Sequence, residues 1–323
     1  MSKRGITDIN EAELRKRAAS NEELNIRLTN NYAFQKVFKN EEIVKGFLMA
    51  LLHLKENEIE SLEVTDPFVE GEVEEEKEGI LDVRLILNGG KKINIEMQNT
   101  YQEDWTERSL FYNCRMFTEG FKKGQPYYEL PPCIHVGILD FNYLKSPGFY
   151  HRILLKDDKT GESYSSKFQF HVIELSKLDT TKGKARKQDL YRWARLISAS
   201  NWEEVREESE GNHYMERAMD EMIKMSRDER ERYLYLREQM AISDKVSQLH
   251  SAEQRGIEKG MQRGIQRGEL LKLIALVQKK KSKGESIEKI AEDLLEDEAL
   301  IKTIYDILVK YPEKDKSEIC DFI

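Results

Sequence analysis

Apolar residues first recur at helical spacing at Phe34, Val37 and Phe38, directly behind Thr29 and Asn30, either of which can cap a helix. A second helical pattern over 41–54 carries Ile43, Val44, Phe47, Leu48, Leu51 and Leu52. Both predict helices layered on a sheet. Residues 62–73 read as a first strand, with Pro67 marking an edge or a bend. After the acidic stretch 72–78, two alternating runs, 80–87 and 92–98, flank Asn88-Gly89-Gly90 and predict a β-hairpin. A helix is expected over 104–123, ended by Gly124, then a buried strand over 133–140. The runs 149–156 and 167–175 alternate around residues 157–161 and predict a second hairpin. From about residue 179 the pattern is helical and highly charged. The fold class is α/β, with an all-helical C-terminal extension.

The first hairpin has two faces. Leu81, Val83, Leu85 and Leu87 share one face of its first strand, and Ile93, Ile95 and Met97 share one face of its second. Burying both sets together requires odd residues to pair with odd. A three-residue loop, Gly89-Gly90-Lys91, satisfies this and predicts Leu87 facing Ile93, Leu85 facing Ile95 and Asp82 facing Gln98. Asp82, Glu96 and Gln98 then converge on the opposite face. Two carboxylates this close repel unless they share a proton or hold a cation between them. Mg2+ takes one or two carboxylates and keeps waters, which leaves room for a phosphate oxygen and a hydroxide. Alternatively, the face is a solvated polar surface on which Arg84 pairs with Asp82 or Glu96.

On the following helix Arg108, Tyr112 and Arg115 share one face at i, i+4 and i+7, a stripe that can meet phosphates. Leu110, Phe111, Cys114 and Phe117 are the expected core face. The bland reading is an amphipathic helix with its arginines in salt bridges.

Composition narrows the classes. The 323 residues suit one large domain or two modest ones. Sixty acidic against 52 basic residues give a net charge of −8, so any nucleic-acid contact must use a local basic surface. No apolar run is long enough to span a membrane, and the polar start carries no secretion signal. Cys114, Cys133 and Cys320 are too scattered for a pairing pattern or a zinc site and read as free thiols of the cytoplasm. Six scattered histidines show no cluster. Gly256, Gly260, Gly264 and Gly268 recur every four residues, although each glycine costs a helix roughly 1 kcal/mol against alanine. The stripe reads either as a self-association helix, making the chain a homo-oligomer through its C-terminal helices, or as a charged connector.

Asp82, followed on the next strand by Asn94-Ile95-Glu96-Met97-Gln98, resembles the D…ExQ variant of the PD-(D/E)XK nuclease core. More narrowly, the chain is similar to the Rpn family of recombination-promoting nucleases, also labelled PD-(D/E)XK nuclease family transposases. LTNNYAFQKVF, FLMALL, LDVRLIL with NIEMQ, RSLFYNCRMF, YYELPPCIHVGILDF, FHVIELSK and the glycine-repeat tail carry the likeness, in order, over about 28–270. The resemblance implies a central mixed β-sheet flanked by helices, a restriction-endonuclease-like core. It also implies Mg2+-dependent DNA cleavage, with Asp82 and Glu96 as metal ligands and the Met97 carbonyl completing the site. Gln98 stands where the superfamily usually has the lysine that positions the attacking water. Asn31 stands where similar sequences often carry an acid. The expected organisation is an arm over 1–27, the nuclease core over 28–178, a helical extension over 179–250, and a glycine-repeat helix with a small helical unit over 251–323. The expected substrate is DNA, its backbone held by Lys92, Arg108, Tyr112 and Arg115. The alternative is a decayed nuclease that binds DNA or a protein partner without cutting it. A strand-transfer transposase rests on the family label alone.

Overall fold

The computed structural model describes residue 19 and residues 22–65, 68–69, 79–80 and 82–323. The expected arm before residue 22 (save residue 19), Pro67 and the acidic stretch 72–78 lie outside the described residues.

Asn30 accepts a hydrogen bond from the Ala33 N–H and starts α1 (Asn31–Phe38); Asn40 does the same for α2 (Glu41–Leu52) through Glu42 and Ile43. The strands that follow are β1 (Leu62–Thr65), β2 (Phe68–Val69), β3 (Gly79–Ile80), β4 (Val83–Leu87) and β5 (Lys91–Gln98). Next come α3 (Trp105–Thr118), β6 (Cys133–Leu139), β7 (Tyr150–Lys156) and β8 (Ser163–Glu174). The order β1-β4-β5-β6-β8-β7 makes one six-stranded sheet. Its β5-β6-β8 centre is parallel, and the pairs on either side are antiparallel. β2 and β3 form a separate antiparallel pair. The mixed sheet expected from the resemblance is therefore present, with helices beside it.

The hairpin register differs from the expected one by two residues. Val83 pairs with Ile95, Leu85 with Ile93 and Leu87 with Lys91. The loop is Asn88-Gly89-Gly90, with Asn88 and Gly89 both at positive φ. The Asn88 side chain accepts from the Glu60 and Ser61 N–H groups and donates to the Glu58 carbonyl, which fixes the loop one residue earlier. A two-residue slip preserves the facing of every side chain, so the apolar face still closes.

That face, with Val83, Leu85, Leu87, Ile93, Ile95, Met97, Ile134, Val136 and Ile138, packs under Phe34, Phe38, Phe47 and Leu48 of α1 and α2 in one cluster. The same cluster takes in α4 (Asp189–Ser198), α5 (Trp202–Ser209) and α6 (His213–Arg227) through Trp193, Leu196, Val205, Met215 and Met222. The helices after residue 178 thus share the core of the sheet, and the first compact unit runs to Ala241. α7 (Glu229–Lys281) continues past that boundary. The second unit, Ile242–Ile323, has its own core. There Leu273, Ile274 and Val277 of α7 meet α8 (Ile287–Leu294), α9 (Glu298–Lys310) and α10 (Lys316–Cys320) through Ile290, Ile301, Ile304 and Ile319. No helix among the described residues is long and apolar enough to cross a membrane. All three cysteines are free thiols.

Candidate active site

Asp82 immediately precedes β4, and one further step of the β4–β5 register sets it opposite Glu96 rather than Gln98. Both acids are buried, at 8% and 1% exposure. The Asp82 carboxylate accepts from the Met97 N–H at 2.7 Å and from Gln35 Nε2 of α1 at 3.0 Å. Burial, and next the neighbouring Glu96 charge, push its pKa up to about 7. Glu96 Oε1 accepts from Gln98 Nε2 at 2.8 Å and from an Arg108 guanidinium N–H at 2.5 Å. Glu96 Oε2 is buried with no hydrogen-bond partner, 3.8 Å from His135 Nε2. So Asp82, Glu96 and Gln98 do converge, Gln98 through Glu96.

Arg84 turns away from this group and pairs with Glu119 beyond the end of α3. Lys92, expected on the DNA backbone, donates instead to the Met116 and Glu119 carbonyls at 2.9 and 2.6 Å. It caps the C-terminal turn of α3, and burial lowers its pKa. A role on phosphate would require it to leave those carbonyls.

The expected core face of α3 is also corrected. Leu110, Phe111 and Cys114 are exposed, and Trp105, Ser109, Tyr112 and Met116 face inward. The reason is the sheet beneath. α3 covers the face that carries Asn94, Glu96 and Gln98, which is polar, so the helix turns its polar and aromatic stripe toward it. Asn113 donates to the Gln169 carbonyl and accepts from the Cys133 thiol. Tyr112 is consequently buried at 7% exposure, under the Arg108 guanidinium. Arg115 is half-buried, with its guanidinium over Phe111. Burial works against the Arg108 charge, but Glu96 beside it outweighs this and raises its pKa.

Contributors that spacing does not reveal lie on α1 and β6. Gln35 lies one turn after Asn31, between Lys36 and the buried Phe34. Asn31 Oδ1 is itself buried without a partner. His135 interrupts the apolar strand Cys-Ile-His-Val-Gly and lies wholly buried. Asn94 Nδ2 meets its Nδ1 at 3.1 Å, which leaves Nε2 to carry the proton toward Glu96. Burial lowers the His135 pKa despite Glu96, so the ring is neutral. Gly137, registered with Glu96, gives space to Trp105: a Cβ there would lie 2.2 Å from the indole.

Among the described residues no group of three or more His, Cys, Asp or Glu is arranged to hold a metal. The donor set is two carboxylates, with an orphaned oxygen on Glu96. Hard oxygen donors of this number fit a Mg2+-like ion that retains waters.

The αβ order and the mixed sheet, with an acid pair at the β4–β5 hairpin, define a PD-(D/E)XK nuclease fold. The family model of the PD-(D/E)XK nuclease family transposases matches residues 28–252, more than half of the sequence, and the chain belongs to that family. No curated protein and no solved structure matches it. Membership supports a nuclease or transposase-like function, and nucleases of this kind generally use divalent metals.

Proposed function

We propose that the protein is a Mg2+-dependent DNA endonuclease that hydrolyses phosphodiester bonds and thereby promotes recombination. The observation that carries this is the pair of buried, opposed carboxylates, one with an oxygen left without a partner. Asp82, Glu96 and the Met97 carbonyl would hold the metal. A bound divalent ion would lower the pKa of a coordinated water and offset charge on the phosphate.

The chain's own groups set the rest. Met97 N–H and Gln35 fix the Asp82 carboxylate, which must lose the proton it holds near pH 7. Gln98 and Arg108 hold Glu96 by Oε1, so that Oε2 stays open. Gln98 can orient a water but has no basic group to accept its proton. Arg108, a third exposed, and the half-buried Arg115 would meet the DNA backbone, with Tyr112 supporting Arg108 from beneath. DNA binding by so acidic a chain would be local and steeply weakened by salt. The exposed apolar and glycine positions of α7 would join copies into a homo-oligomer, and the cytoplasm is the proposed compartment.

The test is nicking of supercoiled plasmid with Mg2+ and with EDTA. Asp82→Ala and Glu96→Ala should each abolish it; cleavage that survives both overturns the assignment. The second reading, a decayed nuclease-fold protein that binds without cutting, is favoured by one observation. Arg108 already stands on Glu96 as a counter-ion in place of a metal. It predicts no Glu96-dependent heat when Mg2+ is titrated calorimetrically.

A further inference from the structure

A cavity of about 200 Å³, walled by both apolar and polar side chains, lies on the other face of the sheet. His171 and Gln169 of β8 register with Val136 and Ile134, so they point away from the face that holds Glu96 and His135. Arg152 and Tyr150 of β7, paired with His171 and Ile173, share that side. The remaining wall comes from Leu51, Leu52, His53 and Leu54 at the end of α2, and from Lys91 and Ile134. The lining holds Arg152, Lys91 and two histidines, and no aspartate or glutamate. The cavity beside α2 differs: Glu41, Glu42, Glu56 and Glu60 line it together with Lys45 and His213. In a chain of net charge −8 an acid-free cavity with two permanent cations is a local reversal of sign.

Its polar groups are already oriented. Gln169 Oε1 accepts from Arg152 Nε and one terminal N–H at 3.2 and 3.1 Å, which fixes the guanidinium plane and leaves its other terminal nitrogen without a partner among the described residues. The Tyr150 hydroxyl meets His171 Nδ1 at 2.9 Å on the buried floor. No carboxylate of the described residues forms an ion pair with Arg152, Lys91 or His53. The remaining Arg152 terminal nitrogen, the Lys91 ammonium and the His53 imidazole, around a small space whose Gln169 and His171 are already engaged, match an oxyanion better than a planar base or an apolar ligand. The volume is below that of pockets for drug-sized molecules, which start near 300 Å³.

We propose that this cavity binds a small phosphate-class anion, either free phosphate or the terminal phosphate of a monoester, with Arg152 and Lys91 as its charged contacts. The site is separate from the acid pair, and the proposal does not depend on nuclease activity. Burial and the nearby Arg152 and His53 charges hold the His171 pKa down to about 4, the positive surroundings an anion would relieve.

The experiment is calorimetric titration of the full chain in EDTA with inorganic phosphate and, in a separate arm, with adenosine monophosphate. Saturable binding with Kd near or below about 1 mM is expected. Arg152→Gln and Lys91→Gln, both outside the core, should each weaken it roughly tenfold or more while thermal melts stay unchanged. The Glu96→Gln variant should bind phosphate as the parent does, and the His171 imidazole resonances should move on saturation. Tighter binding of either arm supports the site and assigns its source. No saturation by about 10 mM, binding that Arg152→Gln and Lys91→Gln leave intact, or binding that Glu96→Gln removes would each overturn it.

Discussion

Strand β5 buries both of its faces, and by opposite means. Ile93, Ile95 and Met97 lie under the aromatic layer of α1 and α2, within one hydrophobic cluster. Asn94, Glu96 and Gln98 are as deeply buried beneath α3, yet among amides, an imidazole and an arginine, with Glu96 Oε2, Asn94 Oδ1 and His135 Nε2 left without partners. The apolar face holds the fold; the polar face keeps hydrogen-bonding capacity unspent. An orphaned buried acceptor costs about 1–3 kcal/mol, and Glu96 Oε2 carries that cost beside a second acid.

The sharpest way to break this contrast is to exchange losses between the faces. Glu96→Ala is expected to remove nicking at a smaller cost in stability than a core truncation, because one carboxylate oxygen is unsatisfied although Gln98 and Arg108 lose their acceptor. Ile95→Ala, one residue away, should cost about 2–5 kcal/mol of stability, read by denaturant melts, while nicking per folded molecule persists. Equal stability losses for the two variants would erase the distinction.

Asp82 supplies a pH arm. Its folded pKa, near 7, lies above its ordinary 3.8, so the folded state retains a proton that the unfolded chain releases. The metal-free protein therefore loses stability as pH rises from about 4 to 7 and levels off above. Asp82→Asn should stabilise the metal-free protein by ~1–3 kcal/mol at pH 8 and least at pH 4. Metal affinity of the parent should rise over the same window. A stability difference that does not vary with pH would show that Asp82 is ionised throughout.

Much of this was legible in the sequence, for definite reasons. Alternation in 83–87 and 93–97 forces the acids to one face whatever the register, and that survived a two-residue slip. The loop itself was misplaced because Asn88 is held by the distant Glu58–Ser61 segment, a tertiary contact no local pattern reports. The α3 face failed for a related reason. Leu110 and Phe111 look like core residues only if the surface beneath is apolar, and here it carries Asn94, Glu96 and Gln98. Gln35 and His135 reach Asp82 and Glu96 through contacts between elements far apart in sequence, and periodicity assigns both to ordinary structure. The part played by the helical extension in the core of the sheet rests on contacts such as Trp193 with Phe38 of α1 and Phe47 of α2, far apart in sequence.

A smaller effect contrasts two kinds of glycine. Gly137 has the Trp105 ring where a Cβ would go, 2.2 Å away, so Gly137→Ala must shift the indole. That ring stands 6.1 Å from His135, whose Nε2 faces Glu96. Overpacking there should cost about 1–3 kcal/mol and impair nicking together with stability. Gly256, Gly260, Gly264 and Gly268 have nothing within 4 Å of an added Cβ. Within a single chain, Gly260→Ala should therefore stabilise the helix by up to roughly 1 kcal/mol. If a second copy packs against this stripe, beside the exposed Ile257, Met261 and Ile265, the sign inverts: the methyl holds the helices apart, and the oligomer weakens as the isolated helix gains. Thermal melts of Gly260→Ala at two protein concentrations separate these outcomes. A gain that is the same at both assigns the repeat to a solvated connector; a loss confined to the higher concentration assigns it to an interface.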